Sequence, residues 1–326
     1  MARPLKVRIA AAQYPVQKLG TWTDFCRKLQ SWVAAAVRNK AQILTFPEFG
    51  AMELASIFEK PPIGRRRSSA HHTLGSSPIT AVERRERPIL QRAVNVVQPL
   101  LPDYRTLHAE LADRYGVYIL ASSLPVRGRD GVLRNTAYFF APDGTMGTQE
   151  KIVLTRRERD CWGITSGNQV RYFDTRFGPI GIAICYDIEF PLIARSQAEA
   201  KVQIILSPSC TGSLRGYYRV RVGARARALE NQAYVVQSAT IGKTPWSAAG
   251  DMIIGAAGVY APPDIGPRED GIIIQGAINK PRWIYADLDL AAIGQLRPHD
   301  RLTNQEDWMW HLGVGRAVAG KFYKIV

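Results

Sequence analysis

The sequence is short of several things, and each shortage removes a class of explanation. Cysteine occurs four times in 326 residues, at positions 26, 161, 185 and 210, with no Cys-x-x-Cys spacing. That pattern argues against a disulfide scaffold. Histidine occurs five times, and only His71 and His72 adjoin, so no zinc site can be read from spacing. Long apolar runs are missing, and Met1 leads almost directly into a short apolar strand at Val7–Ala12. Neither a membrane span nor a secretory leader is expected, and the expected location is cytoplasmic. Acidic side chains are scarce beside basic ones, 28 against 43, for a formal net charge of +15. The surplus is concentrated in Arg65–Arg87 and Arg215–Arg227. It permits a nucleic acid, an anionic membrane or an acidic substrate as partner and requires none of them.

What is present is an alternation of strand and helix signals from end to end. Val7–Ala12 and Ile43–Phe46 read as buried strands, and Phe25, Leu29, Trp32, Val33 and Ala36 between them lie on one helical stripe. This favours a layered α/β fold in a single domain over residues 1–326. Residues 60–88 break the pattern with Pro61, Pro62, Gly64, three consecutive arginines and the paired histidines, and read as a long basic surface insertion. Helical signal resumes from about Ile89 to Tyr115, strands are expected at Val117–Ala121, Thr136–Phe140, a run ending at Lys151, Arg171–Asp174, Ile180–Ile184, Ile204–Ser207, Tyr234–Thr240, Met252–Ile254, Gly271–Ala277 and Trp283–Asp287, and helices at Leu192–Ala200 and 217–231.

One segment carries chemistry. In Gly181-Ile-Ala-Ile-Cys185-Tyr186-Asp187-Ile-Glu-Phe190-Pro191 a strand ends, a cysteine follows at once, and a helix starts a few residues later. A strand-to-helix elbow exposes the thiol at the end of a sheet and turns backbone N–H groups towards whatever it attacks. Alone, such a cysteine reads more readily as a small buried hydrophobe. Two ionisable residues stand in comparable positions: Glu48 after Thr45-Phe46-Pro47, and Lys151 at the end of a strand. In α/β sheets one sheet end commonly holds the site.

With those residues in hand, the sequence resembles the nitrilase superfamily of carbon–nitrogen hydrolases. The family's Pro-Glu segment, strand-end lysine and G-x-x-I-C-x-D-x-x-F-P segment match Pro47-Glu48, Lys151 and Gly181–Pro191 in the same order, separated by 103 and 34 residues. Glu158 ahead of Trp162-Gly163-Ile164-Thr165-Ser166-Gly167, and the helix ending Arg227-Ala228-Leu229-Glu230-Asn231, match two further family features. The chain departs from many relatives at Val153, where they carry His, and at Gln237, where they carry Asn. The resemblance implies a four-layer α-β-β-α sandwich of two facing sheets. It also implies a homodimer or higher homo-oligomer, joined through Leu192–Ala200 and Tyr217–Asn231. Cys185 is the implied nucleophile, Glu48 the general base, Lys151 the oxyanion donor and Glu158 a residue that orients Lys151 or the substrate. No metal or organic cofactor is required. Tyr186, Cys210 and Thr211 are candidate substrate contacts. Cys185-Tyr186-Asp187 follows the amidase-like pattern, so a small amide is the expected substrate, with true nitrilase and N-carbamoyl amidohydrolase activities as alternatives.

Two readings of another kind compete. A basic nucleic-acid-binding protein would need a basic face, but Arg219, Arg221, Arg225 and Arg227, at about 100° per residue, spread around a helix. A non-catalytic binding protein would be expected to lack one of Glu48, Lys151 or Cys185, and all are present. Cys161 is a rival thiol in a charged loop without an elbow, and His108, His299 and His311 read as structural.

Overall fold

The structure is a computed structural model describing residues 6–58, 79–244, 252–265 and 267–299, together with 304 and 307. Its strands, in chain order, are β1 (Lys6–Val16), β2 (Ile43–Thr45), β3 (Tyr118–Leu120), β4 (Leu124–Arg127), β5 (Leu133–Phe140), β6 (Met146–Glu150), β7 (Tyr172–Phe173), β8 (Ile180–Ile182), β9 (Ile204–Ser209), β10 (Tyr234–Gly242), β11 (Gly258–Tyr260), β12 (Ile272–Gln275) and β13 (Arg282–Asp289). The α-helices are α1 (Trp22–Arg38), α2 (Ile79–Val97), α3 (Leu101–Tyr115), α4 (Pro191–Glu199), α5 (Leu214–Asn231) and α6 (Leu290–His299).

β1 explains why Val7–Ala12 is an unbroken apolar run. Its side chains alternate between two hydrophobic cores: Val7, Ile9 and Ala11 enter one, Ala10, Ala12 and Tyr14 the other. A strand covered on both faces has no polar face to show. The first core lies between this strand and α1, α2 and α3, with Phe25, Leu29, Val33, Val94 and Leu111 turned inwards. Burying each large apolar side chain stabilises by about 1.5–3 kcal/mol. The capping box of α1, in which Asp24 N–H donates to Thr21 Oγ1 and Thr21 N–H to Asp24 Oδ2, adds about 1 kcal/mol and mainly fixes where the helix begins.

The second core lies between facing strands. Tyr118 and Phe139 of β3 and β5 meet Phe177 and Phe173, with ring centroids 6.1 and 5.4 Å apart. Beyond β8, β9 and β10, Val220, Ala224 and Ala228 of α5 complete it. The layers are thus α-β-β-α, as expected. One refinement concerns the sheets. β1 pairs with β13 from Lys6 to Gln13 and with β2 through Ile9–Ala11, then with β10 through Gln13–Val16, so the strand order β4-β5-β3-β2-β1-β10-β9-β8-β7 is continuous. The two facing sheets are wings of one mixed, curled sheet.

Three local expectations are corrected. The basic insertion expected over 60–88 is helical from Ile79, so α2 starts ten residues before the expected Ile89 and contains Pro88. Proline removes one helical hydrogen bond, but buried Leu90, Ala93, Val94 and Val97 anchor the helix on the first core and outweigh it. Residues 60–78, with His71, His72 and the arginine run, lie outside the described residues. Met252–Ile254 is not a strand; only Ile253 bridges Gly242. Short β4 and β11 were not expected, because three or four residues show no periodicity; nor was α6, whose ten residues include Gly294 and Pro298. His108 is structural: its ring stacks on Phe140, Nδ1 lies 2.7 Å from the Tyr104 carbonyl, and burial pushes its pKa down to about 4.

Candidate active site

Three strand ends deliver the ionisable groups. After β2, Phe46 N–H still pairs with the Leu120 carbonyl, and Pro47 then releases the chain. Glu48 follows, only 1% exposed, and Phe49 turns sharply at φ 56° into a 3-10 turn at Gly50–Phe58. Thr240 Oγ1 donates to the Glu48 carbonyl and fixes this turn against β10. Lys151 stands one residue past β6, its N–H bonded to the Asn135 carbonyl at 2.8 Å. Cys185 stands at φ 52° and opens the 3-10 turn Cys185–Glu189, with Pro191 starting α4. A non-glycine residue in the left-handed region costs about 1–2 kcal/mol, strain that collects at functional sites. Gly223 of α5 makes room for the elbow, since a Cβ there would sit 2.9 Å from the Ile188 carbonyl oxygen.

The side chains converge. Lys151 Nζ donates to Glu48 Oε1 and to both Glu158 oxygens, each at 2.8 Å. Glu158 is held by Thr155, whose N–H and Oγ1 donate to Oε2 at 2.9 and 2.7 Å. The Trp162–Gly167 segment then returns past Lys151: Gly167 N–H donates to the Lys151 carbonyl at 2.8 Å, where a Cβ would lie 2.7 Å from Glu150 Cβ. Glu48 Oε2 accepts from Cys210 N–H at 3.0 Å, and Cys185 Sγ lies 3.6 Å from the Cys210 carbonyl oxygen. Cys185 and Glu48 interact electrostatically within this cluster.

Electrostatics follow from burial. Desolvation pushes the Cys185 thiol well up, and the Glu48 carboxylate adds to this, so the group is a thiol at neutral pH. Desolvation also raises Glu48, against the pull of Lys151. Burial works against the Lys151 ammonium, yet Glu48 and Glu158 outweigh it and hold its pKa well above the ordinary lysine value. Desolvation pushes Asp187 up to about 7, opposed by Lys151 and by the backbone N–H groups of Val153, Ile152 and Ile184. Those N–H groups lie 2.7, 3.2 and 3.1 Å from its oxygens, so the carboxyl ties the chain leaving Lys151 to the elbow carrying Cys185.

A cavity of about 510 Å³ opens onto this cluster. Glu48, Lys151, Glu158 and Cys185 line it, as do Tyr186, Cys210 and Thr211, so the structure brings all seven sequence candidates together. Phe49, Trp162 and Val220 supply apolar wall, and Arg156, Arg157, Arg219 and Glu189 supply charge. Cys161 is buried in the turn Arg157–Cys161 and does not line the cavity. Sequence reasoning missed Asn135, which donates to Glu48 Oε1 at 2.9 Å, and Glu86, whose carboxylate accepts from Arg157 and from Trp162 Nε1. Asn135 stands between Arg134 and Thr136 in the polar first half of β5, so the local pattern does not single it out. Nothing local singles out Glu86. No described group of His, Cys, Asp and Glu is arranged to hold a metal ion.

Known proteins agree with this architecture. The family described as Carbon-nitrogen hydrolase matches residues 8–298. The "Probable hydrolase YhcX" of Bacillus subtilis is 34% identical over 301 residues, 92% of this chain and 53% of that protein. The chain therefore spans about half the length of that relative. The "Omega-amidase NIT2" of Danio rerio is 29% identical over 205 residues, 60% of this chain and 70% of that protein. The crystal structure of Nit3 from Saccharomyces cerevisiae, a member of branch 10 of the nitrilase superfamily, covers 93% of this chain and 97% of its own, with a TM-score of 0.66 at 18% identity, a likeness of fold. With the family matched across nearly the whole described chain, this protein belongs to the carbon–nitrogen hydrolases.

Proposed function

We propose that this protein is a cysteine-dependent amidohydrolase, releasing ammonia or an amine from a small amide through a thioester on Cys185. The observation that carries the reading is the convergence of a strained, buried thiol, a buried carboxylate and a buried ammonium on one cavity. A buried thiol needs a base, and the Glu48 carboxylate lines the same cavity and is bonded to the Cys210 N–H, beside the Cys210 carbonyl that the thiol contacts. As Sγ attacks the amide carbon, its proton passes to Glu48. Lys151 has three donors, held by Glu48 Oε1 and the two Glu158 oxygens, and it lines the cavity; as charge develops on the substrate oxygen, one N–H turns from Glu158 to it. That N–H and the Tyr186 backbone N–H stabilise the oxyanion. Glu48 then gives its proton to the departing nitrogen, leaving a thioester. Water attacks the thioester, Glu48 takes its proton, and collapse expels the Cys185 thiolate, which recovers the proton from Glu48 as the acid leaves. The Cys185-Tyr186-Asp187 run and the omega-amidase likeness favour amides over nitriles.

Ammonia release across a panel of amides, N-carbamoyl compounds and nitriles tests this reading. Turnover of amides is expected; a preference for nitriles, or no release from any amide, contradicts it. Glu48→Gln keeps the shape of the side chain but cannot accept the proton, so kcat on the best amide should fall about 10²–10⁴-fold. Steady-state kinetics check this, and a variant with near-normal kcat removes Glu48 from the role of base.

The proposed assembly is a homodimer through α4 and α5. Leu214, Tyr218, Val222 and Leu229 are 41–64% exposed and lie on one stripe of α5, and Leu192 at the start of α4 is 62% exposed. Val222→Glu should shift the protein from dimer to monomer in light scattering at micromolar concentration. A wild-type monomer, or an unchanged dimer in the variant, contradicts this interface.

A further inference from the structure

The side chain of Asn135 lies fully buried between two carboxylates and does not line the cavity. Its Nδ2 donates to Glu48 Oε1 at 2.9 Å and, at 3.5 Å, to Glu158 Oε1, while its backbone carbonyl accepts from Lys151 N–H at 2.8 Å. The amide oxygen has no hydrogen-bond partner among the described residues. Turning the amide over would set that oxygen against two carboxylates, so the network fixes Nδ2 as the donor. A buried amide that satisfies its donor and leaves its acceptor unpaired is a poor stabiliser of a core. The arrangement suits a group held there for what its N–H does to Glu48.

The two oxygens of Glu48 are unequal. Oε1 accepts from both Lys151 Nζ and Asn135 Nδ2, which fills its two lone pairs. Oε2 accepts from Cys210 N–H alone and keeps one lone pair. We infer that Asn135 is a positioning residue that saturates Glu48 Oε1 and thereby assigns Oε2 as the oxygen that exchanges a proton with Cys185. The inference rests on the proposed hydrolase reading for its kinetic consequence, but not for its effect on the thiol. The charged and titratable groups facing Glu48 are Lys151 beyond β6, Glu158 on the turn behind it, Cys185 at the elbow and Cys210 beyond β9. Asn135 is the uncharged side-chain donor to Glu48 beside them. Without it the Glu48–Cys185 pair takes up its last proton more readily, and the pair rather than either residue titrates.

The test uses Asn135→Leu, close in size, and Asn135→Asp, close in shape. In steady-state kinetics on an amide that the wild type hydrolyses, Asn135→Leu should lower kcat about 10–100-fold, the usual value of a hydrogen bond to a charged group. KM should stay within about twofold, since the residue does not touch the cavity. The acidic limb of kcat/KM should move to higher pH. The same limb should move in the rate at which iodoacetamide alkylates Cys185, followed by peptide mass, a readout that needs no substrate. Asn135→Asp places a third acid in the cluster and should shift the alkylation limb further in the same direction. If Asn135→Leu does not fold, the aspartate variant decides the matter by itself. An unmoved limb in a folded variant overturns the inference, whatever happens to kcat. A moved limb in a protein that hydrolyses no amide upholds the inference and sinks the amidase reading instead.

Discussion

Cys185→Ala should lose turnover by at least about 10⁵-fold, in line with removal of the nucleophile from other covalent hydrolases, while remaining folded. Oxyanion donors and the binding cavity persist in such a variant, but no thioester can form. The stability change should stay within about 1 kcal/mol, because alanine loses one buried atom and keeps the same left-handed strain. Cys185→Ser should be nearly as inactive: a hydroxyl is much harder to deprotonate than a thiol, and Glu48, although raised by burial, is a weak base. Cys185→Gly should be equally inactive and no less stable than the alanine variant, since glycine occupies φ 52° without a Cβ penalty. Kinetics and thermal melts on the three variants check this. Substantial activity in the alanine variant contradicts the covalent route.

Lys151→Met should be the most destabilising single change in the site. Glu48 and Glu158 are both buried within 2.8 Å of the ammonium, and deleting it leaves two carboxylates together in low dielectric. Removing one partner of a buried ion pair costs about 3–5 kcal/mol, so Tm should fall by on the order of 10 °C. The sign of the pH dependence is the same in both proteins, but the window in which stability falls moves with the mutation. In the wild type, the raised Lys151 pKa contributes stability that is fully present below the unfolded value of about 10.4 and is lost as pH rises through the folded value. In the variant, Glu48 loses the group that opposes its desolvation, so its folded pKa rises further above the unfolded value of about 4.3. The native state then binds more protons than the unfolded one, and stability falls as pH rises through that window. The variant's deficit should therefore be smallest at acidic pH. Adding Glu158→Gln should recover part of the stability, but not the at least about 10²-fold in kcat lost with the oxyanion donor. A melting temperature unchanged at neutral pH contradicts the charge arrangement.

The sequence made Glu48, Lys151 and Cys185 legible because Glu48 and Cys185 follow apolar runs and Lys151 ends a strand, and position at a strand end is a local property. That the three meet is not local. It depends on β2, β6 and β8 ending on the same side of a curled sheet, and the order of family motifs stood in for that geometry. Asn135 escaped, and Asp187 was read as part of a motif without its role, because their significance lies in what they face. An asparagine within β5 and an aspartate two residues past a cysteine acquire roles only when Glu48, or the backbone of Val153, arrives opposite. The start of α2 was misread for a related reason. Pro88 is a strong helix breaker, but Glu86 reaches across to Arg157 and Trp162, and Leu90 and Val94 are seated in the first core. Tertiary contacts overrode local propensity. The continuity of the sheet rests on only four register pairs between β1 and β10, too short a signature for any pattern to carry.

The central claim is that chemistry passes through a covalent bond to Cys185. The most direct measurement is intact mass followed by peptide mapping after incubation with a slowly hydrolysed amide. Slow deacylation lets the thioester accumulate before water releases the acid. The prediction is a single acyl adduct on the peptide carrying Cys185, absent from Cys185→Ala. An adduct on Cys161 or Cys210, or turnover by wild type with no adduct at any thiol under conditions that trap acyl-enzymes, would contradict it.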